Sequence, residues 1–500
     1  MTVSAVEKFN PYSTTTQFGL AVPPWLTEMD ARRINAYQIY EQIYWSVPET
    51  FELTLRGQED KPIYVPTGRT IVDTTNRFVC ADPAIMIDPD VGGESEQEEM
   101  RNWMTALLRR ERFWSQFNSN KRFGFIRGDW VWHVIGDEAK PDGRRITIET
   151  VDPAAYFPVT HPDNPDRIIG VHLVEQIVDD EDQVRIKRQT YRRGVDPLNN
   201  DGSDTTIYND IAIYEMEHWQ ALDDKALIVI KPPTPLPPEI TSIPVYHIKN
   251  MVAPGDPFGS SELRGLERIM SAVNQAISDE EMILALEGLG MYETDGGPPR
   301  DEAGNVTDWI LGPGKVVEHQ MGSKFGRVSG VTTVAPMQDH LAFLIKNLRE
   351  ASGTPDAAIS LVNVQVAESG IARLLSLAPM LAKADERETE IAEVLMNMFF
   401  DLTAWLNAYE GLGNPCVALP VFGDPLPDDR DARFKEIMTI FTAQLADADW
   451  ARSELSKIGY VFPENMTQAV LTEQAARAVA TDPFAARAAG ELDTEEGAPQ

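Results

Sequence analysis

The stretch FGSSELRGLERIMSAVNQAISDEEMILALEGLGMYET, residues 258–294, decides how the rest of the chain is read. Ser260 suits a helix N-cap, and Glu262 follows where a carboxylate favours the positive end of the helix dipole. Leu263, Leu266, Met270, Val273 and Ile277 then recur at spacings of three and four, the packing stripe of one helix face. Arg264, Glu267, Arg268, Asn274, Gln275, Asp279 and Glu280 fall on the other side. The spacing predicts a helix over 260–287, about 40 Å long at 1.5 Å per residue. Its stripe is thin and its polar remainder broad, which suits an element laid against neighbours, although an ordinary core helix shares the periodicity.

Upstream, residues 1–20 are polar and lack a basic region followed by an apolar run, so no signal peptide is expected. This Ser/Thr-rich lead ends at Pro23-Pro24-Trp25-Leu26. Thr27-Glu28-Met29-Asp30 then resembles a capping box, and Ile34, Tyr37, Tyr40 or Glu41, and Tyr44 follow at helical spacing as a packing stripe. A helix is expected over 96–117, acidic at its start and basic near its end. From 122 to 230 short runs at 123–126, 130–135, 145–151, 168–177 and 183–192 alternate between turn signals such as Gly128-Asp129, Asp163-Asn164-Pro165 and Asn200-Asp201-Gly202. They predict an antiparallel meander. Residues 232–238, rich in proline, read as a stiff connector, and 243–248 as one more strand.

Downstream, a Gly-rich interval to 334 holds strand-like pieces at 291–294, 308–311 and 315–318. Helices are expected over 337–350, 368–409, 430–445, 448–458 and 463–480, with a Gly/Pro-rich break at 411–427 and an acidic, disordered tail. The fold class is α+β.

Composition narrows the chemistry. The 500 residues carry 44 Lys and Arg against 78 Asp and Glu, a formal charge of -34. That balance opposes tight nucleic-acid binding. It fits an ordinary acidic protein, or one that must touch a polyanion without sticking to it. Cys80 and Cys416 are too few for a disulfide scaffold or a cysteine-rich zinc module and suit a reducing compartment. No uncharged apolar run approaches the ~20 residues of a membrane span. Gly322-Ser323-Lys324 lacks the upstream glycine of a phosphate loop, and Gly259-Ser260-Ser261 lacks the closing glycine of a nucleophile elbow. The seven histidines are scattered singly, without metal-ligand spacing. No cofactor and no catalysis are expected.

The ordered set of elements resembles the portal proteins of tailed phages, particularly those of actinobacterial siphophages. The residues that carry the likeness are Tyr44-Trp45-Ser46-Val47-Pro48, the strand Ile243-Pro244-Val245-Tyr246-His247-Ile248, the run FGSSELRGLERIMSAVNQAISDEE at 258–281, its exit at 288–296, and Ala367-Glu368-Ser369-Gly370-Ile371-Ala372. The likeness extends over roughly residues 25 to 480, and no short catalytic signature defines the family. It implies a wing over 1–256, a first stem helix over 257–288, a clip over 289–335 and a second stem helix over 336–350. A tunnel loop at 351–367, a long helix at 368–410, a helical crown at 411–482 and the acidic tail at 483–500 would follow.

The resemblance further implies a homo-oligomeric ring, a dodecamer, at one vertex of the virion capsid, assembled in the host cytoplasm. The ring would conduct double-stranded DNA without sequence specificity during packaging and ejection. Its partners would be terminase, then head-tail adaptor proteins, with the major capsid and scaffolding proteins around it and no membrane. Twelve such subunits would carry a formal charge of about -400, so the lumen would repel DNA from every side. Basic exceptions should be local: Lys346 and Arg349 near the tunnel end of the second stem helix, and Lys315, Lys324 and Arg327 in the clip. The alternative for these cations is salt-bridging to neighbouring acidic subunits. Asn363 and Gln365 would meet backbone phosphates from the tunnel loop. The competing assignment is a capsid or baseplate component without a DNA channel.

Overall fold

The computed structural model describes residues 26–460, except 52, 55–61, 89, 179–182, 199–203, 223–224, 253–255, 290–291, 296–303, 307–323, 328–334, 360–369, 413–416, 424–429, 444, 446–447 and 458–459. The expected strands at 308–311 and 315–318, the helix at 463–480 and the tail lie outside the described residues. The chain divides into two compact units, 1–423 and 424–500.

The first unit opens with helix α1 (Glu28–Tyr44), where Thr27 Oγ1 accepts the Asp30 amide at 3.2 Å as an N-cap should. Tyr37, Tyr40 and Tyr44 are buried, so the aromatic stripe packs within this chain. Helix α2 (Thr67–Phe78) follows, then strand β1 (Ala81–Ile87). The single helix expected over 96–117 is two: α3 (Glu94–Arg110) and α4 (Phe113–Arg127), broken at Arg112, whose φ is 51°. Helix α4 also takes in 123–126, expected as strand. Phe113, Phe117, Lys121 and Phe125 recur every four residues on one buried face, a helical period that overrides the short β-like run. Gly124 belongs there because a Cβ would lie 1.7 Å from the Trp130 ring.

Strands β2 (Asp129–Gly136) and β3 (Ile146–Val151) form a three-stranded antiparallel sheet with β9 (Val245–Lys249), in the order β3-β2-β9. The runs expected as one meander are divided. Those at 130–135 and 145–151 belong to that first sheet. Those at 168–177 and 183–192 join a second, five-stranded sheet of β4 (Tyr156–His161), β5 (Asn164–Val178), β6 (Val184–Arg193), β7 (Ile207–Tyr214) and β8 (Ile228–Pro235), in chain order. The proline-rich connector is in part β8. Pro232, Pro233 and Pro235 are tolerated there because β8 is an edge strand, where a missing N–H breaks no ladder.

Helix α5 runs Glu267–Leu289, not from Ser260, and its 23 residues span about 34 Å. Residues 262–265 form turns instead, with Gly265 at φ +85°. Strand β10 (Tyr292–Thr294) pairs antiparallel with β11 (Phe325–Arg327). Helix α6 (Ala335–Ser352) precedes α7 (Gly370–Glu410), whose buried Met380, Ala384, Ile391, Leu395, Met398, Leu402 and Trp405 form a stripe along its length. The Gly/Pro-rich break holds β12 (Ala418–Gly423), which pairs with the distant β1. In the second unit, α8 (Arg430–Thr442) and α9 (Ala448–Lys457) bury Ile437, Ala451 and Leu455 together.

Two histidines are built into the sheets as neutral groups. His133 on β2 shares a 2.9 Å hydrogen bond with the Tyr191 hydroxyl, and His172 on β5 lies 3.1 Å from both Thr190 Oγ1 and the Gln220 carbonyl. Burial pushes the His133 imidazole down to about 4, and burial with nearby Arg188 pushes that of His172 down to about 3. The unfolded chain takes these protons near pH 6.5, so the contribution of the two histidines is constant above that value and stability falls as pH drops below it. The expected cost by pH 5 is about 2 kcal/mol per histidine. Denaturant unfolding at pH 7.5 and 5.0 should show this loss, and the double variant His133→Gln, His172→Gln should show most of it removed. An equal loss in the variant would contradict the assignment.

Candidate functional site

Helix α4 ends at Gly128, strand β9 ends at Lys249, and the stretch that opens at Phe258 passes between them. The Asn250 amide donates to the Gly128 carbonyl, the Ser260 amide to the Asn250 carbonyl, each at 2.7 Å, and Asn250 Nδ2 to the Ser260 carbonyl at 2.8 Å. Glu262 N–H donates to the Phe125 carbonyl at 2.9 Å. A Cβ on Gly259 would fall 2.2 Å from the Gly128 oxygen, so only glycine lets these backbones meet. Beneath them sits Asp129, wholly buried. It accepts from the Tyr37 hydroxyl at 2.6 Å, His247 Nε2 at 2.7 Å and the Gly259 amide at 2.8 Å. Burial pushes its carboxyl up, but His247, Tyr37 and Gly259 together hold it below the usual carboxylate range. Arg33 of α1 lies over the Phe258 ring, 4.1 Å from its centroid, and donates to the Tyr156 carbonyl at 3.2 Å.

Glu262 is not part of a helix dipole. Its buried carboxylate accepts from Lys383 Nζ at 2.7 Å and Arg387 Nε at 2.9 Å, both on α7. Lys383 Nζ also donates, at 3.0 Å each, to Thr75 Oγ1 of α2 and to the carbonyl of Ser352, the last residue of α6. One ammonium therefore touches the segment that leads into α5 and the end of α6. Near its start α6 also meets the middle of α5, with Gln338 Nε2 donating to Glu280 Oε1 at 3.1 Å. Helices α5 and α6 are thus an antiparallel pair whose approach to α5 and end of α6 are held together by Lys383. The β10–β11 pair lies between them in the chain.

The polar face of α5 is partly spoken for within the chain. Asn274 Oδ1 accepts the Val65 amide at 2.9 Å, Gln275 Oε1 the Thr54 amide at 2.7 Å, and Ser278 Oγ the Ile63 amide at 2.9 Å. A broad polar face does not by itself mean a face left for neighbours. Of the packing residues expected on this helix, Met270 and Val273 are buried and Ile277 half-buried on α5, while Leu263 and Leu266 are buried in the turns before it.

The expected basic residues fall on two elements. Lys346 and Arg349 lie on α6 and line a groove of about 790 Å³ with Ala342, Pro355, Ser376 and Pro379. Both pair with acids of their own chain: Lys346 Nζ lies 3.7 Å from Glu350, and Arg349 binds Asp356. Exposed pairs of this kind contribute ~0.3–0.5 kcal/mol. Lys324 is exposed beside β11, and its amide donates to Asp295; Arg327 ends β11. Lys315, Asn363 and Gln365 lie outside the described residues. Among the described residues no group of His, Cys, Asp and Glu could hold a metal ion, and no helix is long and apolar enough to cross a membrane. Sequence reasoning missed the Glu262 site. The signal was Lys383 and Arg387, four residues apart beside an apolar stripe, where buried cations require a carboxylate.

No family model matches the chain, and no curated protein does. Among solved structures it is similar to a chain in the virion of a native gene transfer agent particle, at 11% identity and a TM-score of 0.41, covering 78% of this chain and 90% of that one. The neck of the empty particle, computed with C6 symmetry, gives 12% identity and 0.45, with 78% and 90% covered. The neck of the native particle, computed with C12 symmetry, gives 12% and 0.39, with 80% and 96% covered. All three TM-scores lie below 0.5, so the functional reading rests on the chain's own residues and geometry.

Removing the Glu262 charge strands two buried cations. Glu262→Gln should lower unfolding stability by about 3–5 kcal/mol, and adding Lys383→Met should recover part of the loss. Denaturant titration of the three proteins measures both effects, and a Glu262→Gln loss under ~1 kcal/mol would show the pair to be dispensable.

Proposed function

We propose that this chain is a portal subunit of a tailed bacteriophage, forming a closed ring at one capsid vertex through which double-stranded DNA is packaged and ejected. The observation that carries the reading is the two-helix excursion. The segment at Glu262 leads into α5, whose first half stays packed on the body as far as Ser278. Helix α6 ends at Ser352, and Lys383 binds both Glu262 and Ser352. A pair of helices of about 34 Å and 27 Å, fixed at its base and followed across its far side by a short β pair, is suited to serve as a stem with a clip. The β-rich part that precedes it, with the long α7 behind it, supplies the wing.

In this reading a heterologous contact repeats until it closes, so each subunit presents two different faces. Twelve is the expected number. The acidic subunits surround the DNA with like charge, which centres a polyanion and prevents tight sites. Lys346 and Arg349, already offset by Glu350 and Asp356, give weak, local attraction at the inner end of the stem. Asn363 and Gln365 reach phosphates from the loop that follows α6. The clip, with Lys315, Lys324 and Arg327, receives terminase and afterwards the head-tail adaptor, while capsid and scaffolding proteins contact the outside. The chain itself does no catalysis; hydrolysis of ATP belongs to the terminase.

Native mass spectrometry of the purified chain tests the assembly. A single closed species of about twelve 55.8 kDa subunits is expected, and monomers or open-ended chains at all concentrations would sink the proposal. The double variant Lys346→Glu, Arg349→Glu should still form that species but translocate DNA several-fold more slowly with its terminase, an effect that added salt diminishes. Unchanged translocation would remove these residues from the DNA path.

A further inference from the structure

Helix α3 stands at the join of two blocks of opposite charge. Residues 90–99 hold five acids and no base, whereas residues 100–128 hold seven bases and one acid, in a chain of formal charge -34. Glu94, Glu98, Arg101, Thr105 and Arg109 recur at spacings of three and four, so they form one stripe of α3, and all five are exposed. Arg112, also exposed, follows where the helix breaks. The acidic and basic ends of the stripe lie about 20 Å apart at 1.5 Å per residue. The helix dipole accounts for part of this order only, because its influence fades beyond the first and last turns. Glu98, Glu99 and Arg112 lie outside those turns. Nor does the chain neutralise the blocks itself. Arg110 is held by Glu111 and the Gly143 carbonyl, Arg122 by Asp73, and Arg127 by Glu41 and Asp152. Among the described residues, Arg109 and Arg112 meet no carboxylate, and Glu94 and Glu98 meet no cation.

We propose that this stripe is a contact between neighbouring copies of the chain: the acidic end of α3 on one copy lies against Arg109 and Arg112 of the next. The proposal rests on the portal reading above and names the surface that joins its subunits. A separate acidic partner would match the basic end alone, and a basic partner the acidic end alone. A second copy matches both ends through one repeated contact. The two ends are different surfaces of one subunit, which a heterologous contact that closes into a ring requires. Two stripes laid antiparallel would instead match both ends within a dimer and leave nothing to propagate.

Charge reversal in the full-length protein, read by native mass spectrometry, tests the contact. The double variant Arg109→Glu, Arg112→Glu leaves the stripe acidic at both ends, and Glu94→Arg, Glu98→Arg leaves it basic throughout. Each variant alone should lose the closed species by about tenfold or more, because like charges then meet, and remain a folded monomer by circular dichroism. An equimolar mixture should regain that species with equal numbers of the two variants, which alternate around it. The chain carrying all four substitutions should close by itself. A wild-type chain that forms no closed species, or stops at two subunits, would overturn both the contact and the portal reading. Wild-type rings together with undiminished rings in both double variants would overturn the contact and leave that reading standing. So would a loss of assembly that neither mixing nor the fourfold variant restores.

Discussion

A carboxylate with almost no access to water sits where the two-helix excursion begins, and two cations from α7 close on it. Stripping a carboxylate and an ammonium of water costs several kcal/mol each, so Glu262 would be a liability if either cation were misplaced. Burial pushes its carboxyl up, yet Lys383 and Arg387 pull it further down, so the net direction favours the ion. Geometry decides the outcome. Lys383 can hold Glu262, Thr75 and the Ser352 carbonyl only if α2, the approach to α5, the end of α6 and the middle of α7 all converge. The pair works as a register for those elements more than as a source of stability. Asp129, a few residues of structure away along the same backbone crossing, applies the same logic to α1, β2 and β9 through Tyr37 and His247.

With the base fixed, the rest of the excursion is free to be polar. Helix α5 uses part of that polarity on the backbone of 54–65, where Asn274, Gln275 and Ser278 accept amides that would otherwise lack partners. The cations Lys346 and Arg349 on α6 are offset at close range by Glu350 and Asp356. In the proposed ring, a lumen whose cations are so offset would let a polyanion pass without retaining it.

Much of this was legible in residue patterns. The buried stripe of Met270 and Val273, the long α7, the Thr27 cap and the strands around 130–135, 168–177 and 183–192 follow from local period and turn chemistry. Failures came where a distant partner outvoted the local pattern. Phe123 to Ile126 alternates like a strand, but every fourth residue from Phe113 faces the core and makes it helix. Ser260 resembles an N-cap, yet its amide belongs to Asn250, and Gly265 delays the helix to Glu267. Strand β12 pairs with β1 across more than three hundred residues, a contact that no local window contains. The basic residues follow from position in the resemblance. The Lys346–Glu350 pair is an i,i+4 spacing visible in the sequence, whereas Arg349 meets Asp356 only because the chain turns after α6.

The proposed portal role requires the α5–α6 pairs to line the axis of the assembled particle. Cryo-electron microscopy of the purified oligomer should show every subunit's pair beside a central channel wide enough for duplex DNA, with the β10–β11 end at one mouth. A closed assembly whose α5–α6 pairs lie at the outer rim, or an assembly without an axial opening, would contradict it.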